Sequence, residues 1–482
     1  MKLNRLFLLL LISLLLTGCG GSESSTGNGA QPTTTDGQAS SSTTVHRVET
    51  TGSEPQTTKG TTASTSRDSR TKSARSPRSG PQYGYTYGQE SGNRIVEGTG
   101  RLPESQPVDV QLRGVPVWVA GVALEEDTAW VVALDDGRVQ AFRMDARGEV
   151  APTEISPGRL APGQPPLVKS DGGKLELVTS QADETSELTQ PVPISTGSEN
   201  GLIYATQDGQ ITTEVDGRTP DIDRYTGLEA LPDARFVRGA GGTLAFLSEP
   251  TERYDHGVLG DAIEANSITL LRPGDEESLE AGIIAPESGG VFEQVAPLWF
   301  QAKDLDGNLL AITESTPSLA TRVSVYGLDG DLVAAGPFIG EPSKWRHLIA
   351  AGPFGPNGEI ELVDTLTPHI GGTIEFYRPD FDNRSLDIVA TQTGYTSHRI
   401  YTRNMDTARA GDLDGDGRWE LLVPNDAYTE LGAIRHEKDG ATVPWTLPVD
   451  GTIVNNLASA TNSDGRAQIA AGRQDGVLRI WP

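Results

Sequence analysis

Cysteine is almost missing from this chain: there is one in 482 residues, so neither an intramolecular disulfide nor a cysteine-rich metal site can form. Long apolar runs are missing as well. Past Leu16 no stretch approaches the roughly 20 apolar residues that a spanning helix needs. Positive charge is short, with 39 Lys and Arg against 66 Asp and Glu and a net charge of -27. That balance excludes a broadly basic nucleic-acid surface and gives no drive toward anionic lipid. Sustained helical periodicity is also lacking, and so are a nucleophile elbow, a paired-histidine zinc helix and a phosphate loop. From about Pro107 onward, short β-rich runs alternate with Gly, Asp, Asn and Pro turns, which makes the chain all-β.

The one cysteine has a telling context. Lys2 and Arg5 precede an apolar run from Leu6 to Leu16, and Leu16-Thr17-Gly18-Cys19 closes it with small residues. The run is about half the length of a transmembrane helix. The pattern resembles a bacterial lipoprotein signal. That resemblance implies removal of residues 1–18, lipid attachment at Cys19, and a mature chain anchored to a bilayer rather than spanning it. Gly20 and Gly21 stand where inner-membrane retention signals carry aspartate, so the resemblance points to the outer membrane, or to the cell membrane if the host has only one.

Residues 19–93 are Ser, Thr, Gly, Gln and Pro with almost no aliphatic side chains, a composition that cannot bury enough apolar area to offset chain ordering. They read as a disordered tether with an end-to-end distance of roughly 45 to 50 Å. Arg67, Arg70, Lys72, Arg75 and Arg78 make its far end basic, and Tyr83, Tyr85 and Tyr87 alternate with small residues there. A solvated linker is the reading we give this cluster, over one that docks on an acidic surface or a glycan.

Residues 94–482 carry the fold. The segment 130–143 reads as a hairpin turning at Asp136-Gly137, and 468–481 repeats its design. A second repeat signal is the loop 410–422. Asp412, Asp414, Asp416 and Glu420 take positions one, three, five and nine of a calcium loop, Arg418 would give only its carbonyl, and glycines supply the turn. Decayed copies lie at 351–362, at 302–308 and around Asn462, Asp464 and Gln468, a period of roughly 50 to 60 residues that points to propeller blades. The copies resemble FG-GAP or integrin-alpha-like (VCBS-type) units, each a propeller blade with calcium held between its first two strands. The resemblance covers residues 290–482 and implies a structural calcium. Blade starts near 115, 165, 233, 293, 344, 403 and 453 give a seven-bladed β-propeller, with six or eight left open. The last unit ends after three strands, and Val108 to Leu112 could cover its free edge as the fourth.

In a four-stranded blade the first turn lies at one end, and the second turn lies at the other with the blade-to-blade crossing. The calcium loop is a first turn. The second turns and crossings place Arg253, Tyr254, His256, Asp364, His369, His398 and Asn425 on the opposite face, a polar funnel suited to a ligand. His347 and His436 fall on strand edges and should only pack, while His46 is in the tether. The expected function is a membrane-anchored, calcium-stabilised binding or scaffold module for a glycan, peptide or envelope protein. The alternative is a polysaccharide lyase or hydrolase using His256, His369 or His398 with Tyr254 or Arg253. A quinone-dependent dehydrogenase ranks third, because the seven tryptophans do not recur blade by blade. Three histidines within about 10 Å around a pocket would favour a ligand site or an enzyme, and scattered ones a scaffold.

Overall fold

The computed structural model describes residues 81–180, 185–196, 199–215, 229–273, 279–302, 305 and 307–482. Cys19, His46 and most of the tether lie outside these residues, as do Lys303, Asp304 and Asp306 of the loop copy at 302–308. Among the described residues no helix is long and apolar enough to cross a membrane.

The fold is a β-propeller. Strands run in chain order through residues 116–153, 237–284, 298–335, 346–393 and 409–448, an antiparallel group of four in each, and Val291–Phe292 together with the pairing of Ala335 and Ser385 links the three groups between 237 and 393 into one 13-stranded sheet. A sixth group combines Ile453–Thr461, Ala467–Arg473 and Val477–Trp481 with Val108–Gln111. Between Thr153 and Val237 the described residues form strands of two three-stranded sheets, where the sequence predicts a single blade starting near 165. One pairs Val168–Asp171 and Lys174–Leu177 with Gln82–Gly84, and the other joins Val192–Thr196, Glu199–Ala205 and Ile211–Val215.

Strands here are apolar on both faces because each sheet is sandwiched between neighbours. Thr128–Leu134 and Ala467–Arg473 are buried at every position. Shared cores join the 168–177 sheet to 116–153, and that sheet to 453–481. From 453–481 they pass to 409–448, then to 346–393 and 298–335. A last cluster continues through 237–284 to 192–215, so the sheets follow one another around a common axis.

The ring closes as the free edge demanded. Val108, Asp109, Val110 and Gln111 pair with Ile480, Arg479, Leu478 and Val477. Arg479 donates to both oxygens of Asp109, at 2.6 and 2.8 Å, and to Asp450 at 2.6 Å. This arginine holds the Asp109 carboxyl below its usual range.

The expected tether boundary at 94 falls inside the fold. Gln82–Gly84 is a strand, Ile95–Thr99 runs parallel to Arg409–Asp412, and Thr86 and Tyr87 between them are completely buried. The polar groups of this segment reach several sheets. Asn93 Nδ2 donates to Ala351 O at 2.8 Å, and Arg94 Nη1 to Ile349 O at 2.9 Å. Thr86 O accepts from Asn456 Nδ2 at 2.9 Å and from Arg409 Nη2 at 2.6 Å. At the centre Asp406 receives Arg94 Nε at 3.0 Å and both terminal nitrogens of Arg235, at 3.2 and 2.8 Å. The Arg235 guanidinium lies 4.1 Å over the Tyr87 ring. Residues 81–99 therefore fill the propeller axis instead of hanging from it.

Candidate functional site

The strand ends define two mouths. Val117, Trp118 and Val454, near the beginnings of the innermost strands, border a cavity of about 270 Å³ at the face of the crossings. Ala123 and Thr461, at the ends of those same strands, border a cavity of about 570 Å³ at the opposite face. Asp412 also ends an innermost strand, so the acidic loop faces away from the second turns, as its place in the repeat implies.

At the crossing face His369 and His398 come together with His347 around Trp345, while His256 pairs elsewhere with Glu293. His398 Nε2 lies 2.7 Å from Thr402 O, an atom that can only accept, so that nitrogen carries the proton. His398 Nδ1 is then an acceptor, and His369 Nε2 donates to it at 2.7 Å. The Trp345 ring stacks on His347 at 5.4 Å and on His369 at 5.7 Å, and meets His398 edge-on at 5.1 Å. Burial, reinforced by the His369 charge, depresses His398 to about 3; burial, then His256, depresses His369 to about 4. Both rings are neutral near pH 7, far from the value that suits a general acid or base there. His256 differs. Burial opposes its charge, yet Glu293, 2.6 Å from its Nδ1, raises it, and Glu293 is itself raised because it is fully buried. None of these histidines lines either mouth.

The other expected funnel residues are committed to the fold. Arg253 donates to Gly290 O, and Tyr254 is buried with its ring 5.7 Å from His256. Asp364 points inward from its strand and accepts from Tyr377 Oη at 2.9 Å beside Arg346. Burial pushes it up to about 6 against those partners. Asn425 caps its own turn, accepting Thr429 N at 3.0 Å. At the mouth itself Arg403 is held by Asp233 at 2.9 Å and by Asp261. Arg399 donates to Ile453 O at 2.6 Å and lies 3.8 Å over the Tyr428 ring. His347 does more than pack, since its Nδ1 meets Ser397 Oγ at 2.7 Å inside the cluster. His436 sits on its strand as expected, 2.8 Å from Glu361.

The larger cavity was not anticipated, because its builders were assigned to the tether. Tyr83 and Tyr85 line it, their rings 6.5 Å apart, and Tyr87 continues the series inward, 5.1 Å from Tyr85. Glu90 and Arg238, 3.5 Å apart, stand at its wall with Ser91 and Ser459. Aromatic faces beside one acid, one cation and hydroxyls make a polar but ring-floored hollow, of a size within the range of ligand sites. The sequence signal is the cluster of three tyrosines in five residues, Tyr83, Tyr85 and Tyr87, more aromatic surface than a solvated linker needs.

The acidic loop is folded around a side chain. Arg435 Nε donates to Glu420 Oε1 at 2.8 Å, Nη1 to Asp416 Oδ2 at 2.9 Å, and Nη2 to Asp414 Oδ2 at 2.6 Å. Asp412 accepts Gly415 N at 2.8 Å and Gly417 N at 3.2 Å. Asp412, Asp414 and Glu420 are near enough to share an ion, but two of them already share this guanidinium. Calcium and Arg435 compete for the same oxygens, so the donor set does not fit the metal as it stands. Arg418, expected to give its carbonyl, uses its side chain to pair with Glu437 at 2.8 Å.

No protein-family model matches the chain, and no curated protein matches it. Among solved structures it is similar to a europium-containing methanol dehydrogenase, with 10% identity, a TM-score of 0.47, and coverage of 81% of this chain and 90% of that one. It is also similar to BBS1N in complex with ARL6DN, with 9% identity, a TM-score of 0.43, and coverage of 81% and 97%. A third is the WD40 domain of Toxoplasma gondii coronin, with 9% identity, a TM-score of 0.36, and coverage of 80% and 87%. Likeness at this level carries no argument about chemistry.

Proposed function

We propose that this protein is a lipid-anchored propeller that binds a hydroxyl-rich ligand, a glycan segment, in the cavity floored by Tyr83 and Tyr85. The observation that carries the reading is that cavity: about 570 Å³ at the axial mouth, with tyrosine rings, Glu90, Arg238 and serine hydroxyls converging on it. Sugars present apolar ring faces and many hydroxyls, and amphipathic tyrosines with a few fixed polar groups meet both. The anchor rests on Cys19 and its leader, with the outer membrane as destination. Peptide or envelope-protein ligands are alternative outcomes of the test. The lyase or hydrolase reading is the weaker one, because His369 and His398 bond to each other and burial holds both neutral near pH 7. The dehydrogenase reading has no feature in its favour, and the acidic balance argues against nucleic acid.

The test is a glycan array followed by calorimetry, on the unlipidated Cys19→Ala chain. Tyr83 is only half-buried, so Tyr83→Ala should leave the fold intact and weaken binding about three- to tenfold, a stacked aromatic contact being worth about 0.5–1.5 kcal/mol. If no glycan is retained, or if Tyr83→Ala binds as well as the parent, the reading fails; peptide-library hits in place of glycan hits would reassign the ligand.

A further inference from the structure

We propose that Arg435 is a tethered cation standing in for calcium, so that the loop 412–420 keeps its shape without metal. The FG-GAP resemblance implies a divalent ion among Asp412, Asp414, Asp416 and Glu420. Such an ion needs six to eight oxygens turned toward one point. Here the oxygens are turned toward N–H groups instead. Arg435 engages Asp414, Asp416 and Glu420 with three different nitrogens, using the planar fork that lets a guanidinium bridge several carboxylates at once. The remaining demand is met nearby: Leu413 N donates to Glu420 Oε2 at 3.0 Å, and Trp445 Nε1 to Asp414 Oδ2 at 3.2 Å. Asp412 holds the two glycine amides of the turn.

A neighbouring sheet gives independent support. In the decayed copy at 351–362 the opening acids are gone, yet Glu361 keeps the place equivalent to Glu420. It too is met by an arginine from the third strand of its sheet, Arg378 Nη2 donating to Glu361 Oε1 at 2.6 Å. The pairing of a second-strand acid with a third-strand arginine thus occurs where the loop lacks the acids for an ion. Arg435 is the same device at the loop that kept its acids, and its side chain is only 8% exposed. A tethered cation has no concentration dependence, whereas a bound ion stabilises in proportion to the logarithm of its excess over Kd.

The measurement is thermal unfolding of the unlipidated Cys19→Ala chain and of Arg435→Gln, each in EGTA and in millimolar calcium. The parent should melt at the same temperature in both buffers, and Arg435→Gln should melt about 3 °C or more lower in EGTA, because three carboxylates lose their shared cation. A calcium-induced rise of several degrees in the parent, or an Arg435→Gln protein that melts with the parent in EGTA, overturns the proposal. The parent arm stands even if Arg435→Gln fails to fold.

Discussion

Asp406 is the group whose loss should cost the ring most. It is fully buried, takes three hydrogen bonds from Arg94 and Arg235, and faces Arg409 as a third buried cation. Burial opposes its charge, but the two arginines win and hold its carboxyl below the usual range. Arg409 shows the converse, its guanidinium depressed to about 9, first by burial and then by Arg94 and Arg235 against the pull of Asp406. Asp406→Asn keeps the shape and removes the charge, leaving three guanidiniums with no buried counter-ion. Breaking a buried pair from one side typically costs about 3–5 kcal/mol, because the stranded charge stays desolvated. For roughly 400 folded residues the entropy of unfolding is on the order of 0.8 kcal/mol/K, so the melting temperature should fall by about 4–6 °C. Urea unfolding should lose the same free energy. The linkage has a definite sign. A carboxyl depressed in the fold stabilises it above the unfolded value and ceases to as pH falls through the folded one. The gap between Asp406→Asn and the parent should therefore be full at neutral pH and shrink in acid below pH 4. A variant within 1 °C of the parent at pH 7, or a gap that widens in acid, would refute the idea that this carboxylate balances the hub.

The seam and the histidines give further tests. Asp109→Ala should speed amide exchange in Val477–Trp481 before it affects other sheets, and should cost only about 1 kcal/mol, since Asp109 is part-exposed and its ion pairs are screened; uniform protection would mean the seam does not depend on this clamp. His369 and His398 are depressed in the fold, so the unfolded chain binds protons that the folded one refuses as pH drops from about 6.5. Stability should decline between pH 6.5 and about 3, and His398→Gln should flatten that decline; an equally steep profile would exclude the pair as its source.

The closure and the division between the two faces were legible because both follow from strand parity. The segment 468–481 copies the hairpin at 130–143 and stops one strand short, so a partner for its edge had to come from elsewhere, and Val108 to Gln111 has the alternation to supply it. What escaped depends on partners distant in sequence. Tyr83 to Tyr87 has the composition of a linker until Arg235 and Asp406, from two other parts of the ring, enclose it. Asp364 looked available in a polar stretch, but strand parity turns it inward toward Arg346. A motif confined to residues 412–420 cannot reveal Arg435, which reaches the loop only through the pairing of Glu420–Pro424 with Glu430–Glu437. The described strands between 154 and 236 are only four to seven residues long and one of their sheets borrows Gln82–Gly84, a partner that local pattern does not reveal.

The course of residues 81–99 bears on how the molecule would carry load. Residues 81–99 run beside the tyrosine hollow and through the hub before the first full blade begins at Pro116. Tension applied at Pro81 would meet Gln82–Gly84 zipped to its partner strand, then the Tyr87 and Arg94 contacts, in series. The rim, where sheets peel most easily, would be spared. A guest seated in the hollow would touch the same stretch of backbone, so mechanical pull and occupancy would be felt by one element.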